Sequence, residues 1–477
     1  MGDLAPVTWG SWGSWGSVGR VAAEQLGIAD RAFELVSAAT SPVPWSSHLP
    51  VGALATDSVA LASVAMALLQ EERGIAEATP FRIDPARVAA SFGSERIIRI
   101  DGQAPPVWAP LSGFWETADG WVRTHANYPH HERALRSVLG VAEDAEKPAI
   151  SAAISEWSAE ELEDRAAERS AVVAAVRTPA QWRAHPHAHA IASDPLVRLT
   201  RAAGSSSEAT PRVWSPGTQP LSGIRVLDLT RVIAGPVAAR DLAFAGAEVL
   251  RVDSPHHAEL GWIHLGTGQG KRSTLLDLDD RHDRDVFERL LAQADVLLTG
   301  YRPGALTRFG LDPDAVAERH PGLVSASVSA WGSAGPWAAR RGFDSIVQAA
   351  TGISLAESPG EGRPGALPAQ ALDHATGHLL SAAIAMALRE QRRTGGSFEV
   401  RASLAGTARA LLGSPDPVES APSAADLPAR ERTVPDARPW TLTYAPPVLA
   451  YPGAPADYRE VGGRWGVDLA EWTGMPG

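Results

Sequence analysis

The chain has 477 residues, 44% of them hydrophobic and 21% charged, with a formal net charge of −12. That length ordinarily divides into two or more domains, and the acidic balance argues against nonspecific binding to nucleic acid or to an anionic membrane. Cysteine is absent, which excludes disulfides, thiolate catalysis and Cys-ligated metal, and suits a cytoplasmic protein.

The opening "MGDLAPVTWGSWGSWGSVGR" lacks the charged-then-apolar order of a signal peptide. It reads as an irregular segment whose tryptophans pack on a domain, with a stacking surface as the alternative. No apolar run reads as long enough to span a membrane. Residues 1–104 hold part of an internal repeat. "DSVALASVAMALLQ" (57–70) aligns with "GHLLSAAIAMALRE" (377–390) at a constant offset of 320. "FRIDPARVAAS" (81–91) parallels "FEVRASLAGTA" (398–408) with a small shift. The shared order reads as an old duplication. At this offset Asp373 falls on Ala53, and Gly377 falls on Asp57.

Residues 105–200 read as a small domain. "FWETADGWVRTHAN" carries strand and turn signals, and helical stretches follow. His185, His187 and His189, and the run Tyr128-Pro129-His130-His131, read as polar loops. A zinc site needs further ligands in defined geometry, so no metal site is expected. Residues 201–220 and 413–440 are rich in Pro and Ser and read as linkers. Between them lies the segment 221–412, and after them a tail, 441–477.

The segment 221–412 alternates strand and helix signals. Strands are expected at 224–229, 247–253, 295–300 and 323–332, and helices at 235–246 and 284–294. Such alternation predicts an α/β fold, a Rossmann-like open parallel sheet covered on both faces. Ligands then bind at the carboxyl ends of the strands. "GTGQGKRS" (266–273) fails the spacing of a P-loop, although Lys271 and Arg272 supply charge to a glycine-rich stretch. Gly235-Pro236 opens a helix, which fits either an anion site or a structural turn. Arg302, Arg308 and Arg340-Arg341 fall in loops after predicted strands. Asp373 stands before an apolar helical stretch, where a cap is the ordinary role and a nucleophile is the other.

Five ordered stretches resemble the family III CoA-transferases (the CaiB/BaiF type), a group that includes formyl-CoA and carnitine CoA-transferases. They are "GIRVLDLTRVIAGPVAARDLAFAGAEVLRVDSP", "GKRSTLLDLD", "ADVLLTGYRPGALTRFGLD", "RRGFDSIVQAATG" and "LDHATGHLLSAAIAMALRE" with "GGSFEVRASL". Together they cover about 221–412. The N-terminal part resembles the remainder of such a chain in permuted order. The resemblance implies a CoA-binding α/β domain with a smaller second domain and a homodimer. It implies no tightly bound cofactor, coenzyme A entering as part of the substrate, and an acyl-CoA and a carboxylic acid as partners. Asp373 matches the family's catalytic aspartate, which acts by covalent catalysis. CoA contacts carry over to Ile233 and Ala234, to a strand Leu276-Asp277-Leu278, to Gly300, Tyr301 and Arg302, to Arg308, and to the segment Arg341 to Asp344. Lys271 and Arg272 fall in the matching basic turn. Phe343 stands where related α-methylacyl-CoA racemases place a histidine, which favours CoA transfer over racemisation.

Overall fold

The computed structural model describes residues 15–37, 43–202, 214, 216–418 and 426–473. Most of the N-terminal Trp-Gly-Ser stretch lies outside them, and Trp15 is buried. The chain opens with helix α1 (Ser17–Gln25), and after a short helix at Ala29–Leu35 comes the long helix α2 (Val51–Glu72). The short strand β1 (Arg99–Ile100) follows, then β2 (Gly113–Glu116) and β3 (Trp121–Thr124), helix α3 (Pro129–Leu139) and β4 (Val173–Ala175). β2, β3 and β4 form a three-stranded antiparallel sheet. Its own apolar core gathers Leu111, Leu135, Ile150, Ile154 and Leu162.

The second half is built on β5 (Val197–Arg201), β6 (Arg225–Leu229), α4 (Ala234–Phe244), β7 (Glu248–Asp253) and β8 (Lys271–Leu275). It continues with α5 (Arg281–Leu291), β9 (Val296–Thr299), β10 (Val324–Ser329), α6 (Asp344–Thr351), α7 (Ala371–Thr394) and β11 (Phe398–Ser403). Seven strands pair in the order β8-β7-β6-β9-β10-β11-β5. All pairs are parallel except β11 with β5. The strand order reverses between β6 and β9, which opens a crevice at their carboxyl ends. The mixed α/β class expected from the alternation is the class observed. β6 and β9 are short runs of buried Val and Leu, the pattern of strands with both faces covered.

Several boundaries differ from the expectation. β5 lies inside the stretch read as the small domain, yet it pairs with β11 in the large sheet. The strand expected at Leu276–Leu278 ends at Leu275, and Lys271 and Arg272 are strand residues rather than a turn. The stretch read as a second linker contains β12 (Arg430–Val434), which pairs with β13 (Trp440–Tyr444), and β13 in turn pairs with β1. Beyond β13 the chain runs along β8. Gly270 donates to the Glu460 carbonyl (2.8 Å) and Asp468 to that of Ser273 (2.8 Å). The Asp468 carboxylate accepts from Ser273 N (2.7 Å), and Trp465 Nε1 donates to Asp253 (2.9 Å). An open sheet edge is a template for unwanted pairing, and this segment covers it.

α2 and α7 pack side by side. They begin at Val51 and Ala371, the same offset as the repeat. Each is followed by a strand and a helix, Phe81–Arg82 and Pro85–Phe92 in the first copy, β11 and Leu404–Leu412 in the second. Contrary to expectation, α2 has the length and composition of a membrane-spanning helix. Its apolar surface is buried inside the protein, mostly beneath the Ala-rich face of α7. α7 also packs on α4, and Gly377 sets that distance. A Cβ there would lie 2.5 Å from the Ala234 carbonyl and 2.8 Å from Val237 Cβ.

Candidate active site

The crevice between β6 and β9 holds a cavity of about 220 Å³. Asp373, the third residue of α7, is in its wall. The loop after β6 supplies Arg231, Val232 and Ala234, and the loop after β9 supplies Gly300, Tyr301 and Arg302. Arg341 and Phe343, before α6, close a third side. The fourth side comes from the small domain, through Tyr128, His130 and His131 at the start of α3. A larger cavity, 320 Å³, opens beside it and shares Tyr301 and Arg302. Asp373 is not in the wall of that cavity.

Asp373 is not the helix cap. Gln370 occupies that position and makes no side-chain cap bond. The amide of Asp373 instead donates to the Asp344 carboxylate (2.9 Å), which also accepts from Gln348 Nε2 and from the Leu372 amide. Asp344, at the first residue of α6 and fully buried, therefore caps α7 from outside. In the first copy of the repeat the Asp373 slot holds Ala53, and Asp57, one turn on, caps another helix. Asp57 accepts from Gly16 N (2.9 Å) and Gly19 N (2.7 Å) at the start of α1.

With its amide thus held, the Asp373 carboxylate accepts no hydrogen bond among the described residues. Burial, then the charge of Asp344, then that of Glu95 push its pKa well above the usual carboxylate range. Burial likewise pushes Asp344 up to about 7, against its three donors. Glu95 contacts His374 Nε2 (3.1 Å) behind the site. Two carboxylates so close do not both ionise readily. Three donors favour charge on Asp344, so protonation is favoured on Asp373 over Asp344.

α4 starts at the cavity without a side-chain cap. The amides of Ala234 and Gly235 make no hydrogen bond among the described residues, so a helix N-terminus with free donors opens into the cavity. The loop before it is strained. Val232 has φ +68°, a left-handed conformation that β-branched residues rarely adopt. Its amide donates to Glu259 Oε2 (3.0 Å). Glu259 also accepts from Tyr128 OH (2.6 Å) and from Arg251 (3.1 Å). Its pKa is pulled down to about 2; Arg251 and Arg231 overcome the effect of burial. This buried anion ties the strained loop to the small domain.

The carried-over contacts divide into two groups. Ala234, Gly300, Tyr301, Arg302, Arg341 and Phe343 meet around Asp373. Ile233 is the buried N-cap residue of α4. Among the described residues Arg341 has no carboxylate within 4.0 Å, whereas Arg302 donates to the Ala339 carbonyl (3.0 Å). The second group lies elsewhere. Lys271 is buried below α4, bonded to Asp228 (3.3 Å) and to the Pro236 carbonyl (3.0 Å), and burial lowers its pKa to about 8. Its ammonium is consumed by the core rather than offered to a ligand. Arg272 pairs with Glu248 (3.0 Å) and the Glu471 carbonyl. Leu276 and Leu278 pack in the core under α5. Asp277 pairs with His256 (2.8 Å), and Arg308 with Asp279 (2.7 Å) on the surface.

The small-domain wall was missed. The Tyr128–His131 run reads as a polar loop from sequence, but Tyr128 and His131 are buried and the run opens α3. His125 stacks on Phe343 at 3.7 Å with the rings 5° from parallel. The signal available was Pro129, which suits the first residue of a helix. The other histidine run also leaves the loop reading. Pro186–Ala190 is helical, and His187 is buried against Trp331 and Trp337.

The doubly wound α/β sheet thus carries a carboxylate and an uncapped helix N-terminus at its switch point. Residues 221–440 match the model of CoA-transferase family III. The chain is similar to a probable fatty acyl-CoA transferase of Mycobacterium tuberculosis, 36% identical over 190 residues, 37% of this chain and 48% of that one. It is also similar to the alpha subunit of succinyl-CoA–L-malate CoA-transferase of Chloroflexus aurantiacus, 34% identical over 215 residues, 40% of this chain and 49% of that one. A crystal structure of a hypothetical protein from M. tuberculosis is 36% identical, over 40% of this chain and 57% of that one, with a TM-score of 0.38. The chain spans about half the length of the curated relatives it matches.

Proposed function

We propose that the protein transfers coenzyme A between an acyl-CoA thioester and a carboxylic acid, with Asp373 as nucleophile. The observation that carries this reading is the Asp373 carboxylate, unbonded in the cavity wall beside the uncapped start of α4. The ionised carboxylate attacks the thioester carbonyl, the C–S bond breaks, and a mixed anhydride and CoA thiolate form. The thiolate attacks the aspartyl carbonyl, releasing the first acid and leaving an aspartyl-CoA thioester. The acceptor carboxylate then attacks that thioester, and the thiolate closes the cycle on the new anhydride. Each attack builds an oxyanion, and preorganised donors are worth most where charge develops. The free amides of Ala234 and Gly235 are the donors in reach of that wall. Arg341 and Arg302 supply positive charge at the mouth, where the phosphates of coenzyme A are expected. Coenzyme A is a substrate in this reading and no resident cofactor is required.

The expected acids are small carboxylates, the class named for the Chloroflexus relative. The test is mass spectrometry of the purified protein after incubation with succinyl-CoA and acetyl-CoA. A hydroxylamine-sensitive adduct on Asp373, lost in Asp373→Ala, supports the reading. No adduct from either thioester, with α-proton exchange from deuterated water, would replace CoA transfer by racemisation.

A further inference from the structure

His131 is 5% exposed and sits in a box of rings. Phe343 meets it edge-on at 5.7 Å, Tyr128 at 5.5 Å and His130 at 4.1 Å. Among the described residues neither of its ring nitrogens has a hydrogen-bond partner, and Nδ1 is sealed from solvent. Nε2 is therefore the nitrogen left open to the cavity. The charged and titratable groups around the ring are His130, His125, Tyr128, Arg341 and Arg231, and Asp373 lines the same cavity. Burial, then the neighbouring histidines and arginines, lower its pKa to about 2, so the imidazole is neutral at any working pH. A neutral imidazole has one N–H to place. Buried orphan donors are rarer than orphan acceptors, which puts the proton on Nε2, facing the cavity.

With Nδ1 sealed, Nε2 is the ring nitrogen that a ligand in the cavity can reach. The loops after β6 and β9 and before α6 line the cavity together with Asp373, and His131 lines it from the small domain. We propose that His131 is a specificity-determining residue: its Nε2–H donates to an oxygen of the carboxylate or acyl group held beside Asp373. This inference rests on the reading of Asp373 above.

Acid binding is measured with Asp373→Asn protein, which holds an acid without reacting, by ¹H–¹⁵N correlation of the histidine rings during titration with acetate, L-malate and glutarate. The expected result is a saturable shift of the His131 Nε2 resonance with at least one acid. Adding His131→Phe, which keeps a ring but removes the donor, weakens that acid at least tenfold, and His131→Gln recovers part of the loss. Unchanged affinity in the Phe variant overturns the inference, as does a shift confined to His130. Absence of any binding by Asp373→Asn, while the native protein still forms its Asp373 adduct, overturns it as well and leaves CoA transfer standing. Failure of the adduct in native protein removes CoA transfer itself.

Discussion

Replacing Asp344 by Asn tests the electrostatics of the nucleophile directly. Asp344 holds the amide of Asp373 at 2.9 Å and its charge raises the Asp373 pKa; two unit charges about 6 Å apart repel by about 3 kcal/mol at an effective dielectric near 20. That equals about 2 pKa units on Asp373. Asn keeps a side-chain oxygen for the amides of Leu372 and Asp373 and removes the charge. Asp373 has a raised pKa, so its ionised fraction grows as pH rises, and the rate of adduct formation should climb with pH in the native protein. In Asp344→Asn the inflection should move about 1–2 units toward acid. The assay is stopped-flow release of CoA thiolate in a single turnover, followed from pH 5 to pH 9. An unmoved inflection, or one shifted toward alkali, refutes both the pairing and the assignment of the proton to Asp373.

Three further outcomes follow from the same geometry. Asp57 has its pKa raised from 3.8 to about 7 by burial; a carboxyl raised on folding stabilises below its unfolded value and loses that contribution as pH climbs from about 4 to 7. Urea unfolding should therefore show a smaller loss of stability between pH 5 and pH 8 in Asp57→Asn than in the native protein. Lys271→Met leaves Asp228 buried without its cation and should lower stability by about 3–5 kcal/mol; denaturation at pH 7 checks this, and a pure rise in KM for the acyl-CoA would contradict it. Gly377→Ala forces α7 away from the Ala234 carbonyl, costing about 1–3 kcal/mol by overpacking, with kcat falling more than KM rises because Asp373 moves with the helix.

What the sequence made legible was local. Short apolar strands between helical stretches marked β6, β7, β9 and β10, because a strand buried on both faces has few polar positions. β8 was misplaced because Lys-Arg-Ser-Thr-Leu reads as a turn. Its polar residues are satisfied by Asp228, Glu248 and the segment after β13, partners far away in the chain. The repeat singled out Asp373 in the sequence as a carboxylate absent from the first copy, where Ala53 fills the same slot. Its environment was not legible. Asp344 controls it through a backbone amide, and Tyr128 meets Glu259 across 131 positions; neither contact leaves a periodic trace. The expected contacts at Lys271 and Arg272 failed for the same reason, their charges being absorbed by carboxylates that sequence alone does not place.

The pairing of α2 with α7 has a consequence for biosynthesis. Ribosomes add roughly 5–20 residues per second, so α7 follows α2 by about 15–60 s. Throughout that interval the nascent chain carries a 22-residue helix as apolar as a membrane anchor, with its mate not yet made. Contacts this distant in the chain slow folding and prolong exposure of sticky surface. The yield of native protein should therefore depend on chaperones that shield α2 early, and synonymous codon changes that slow translation between the two helices should raise the aggregated fraction.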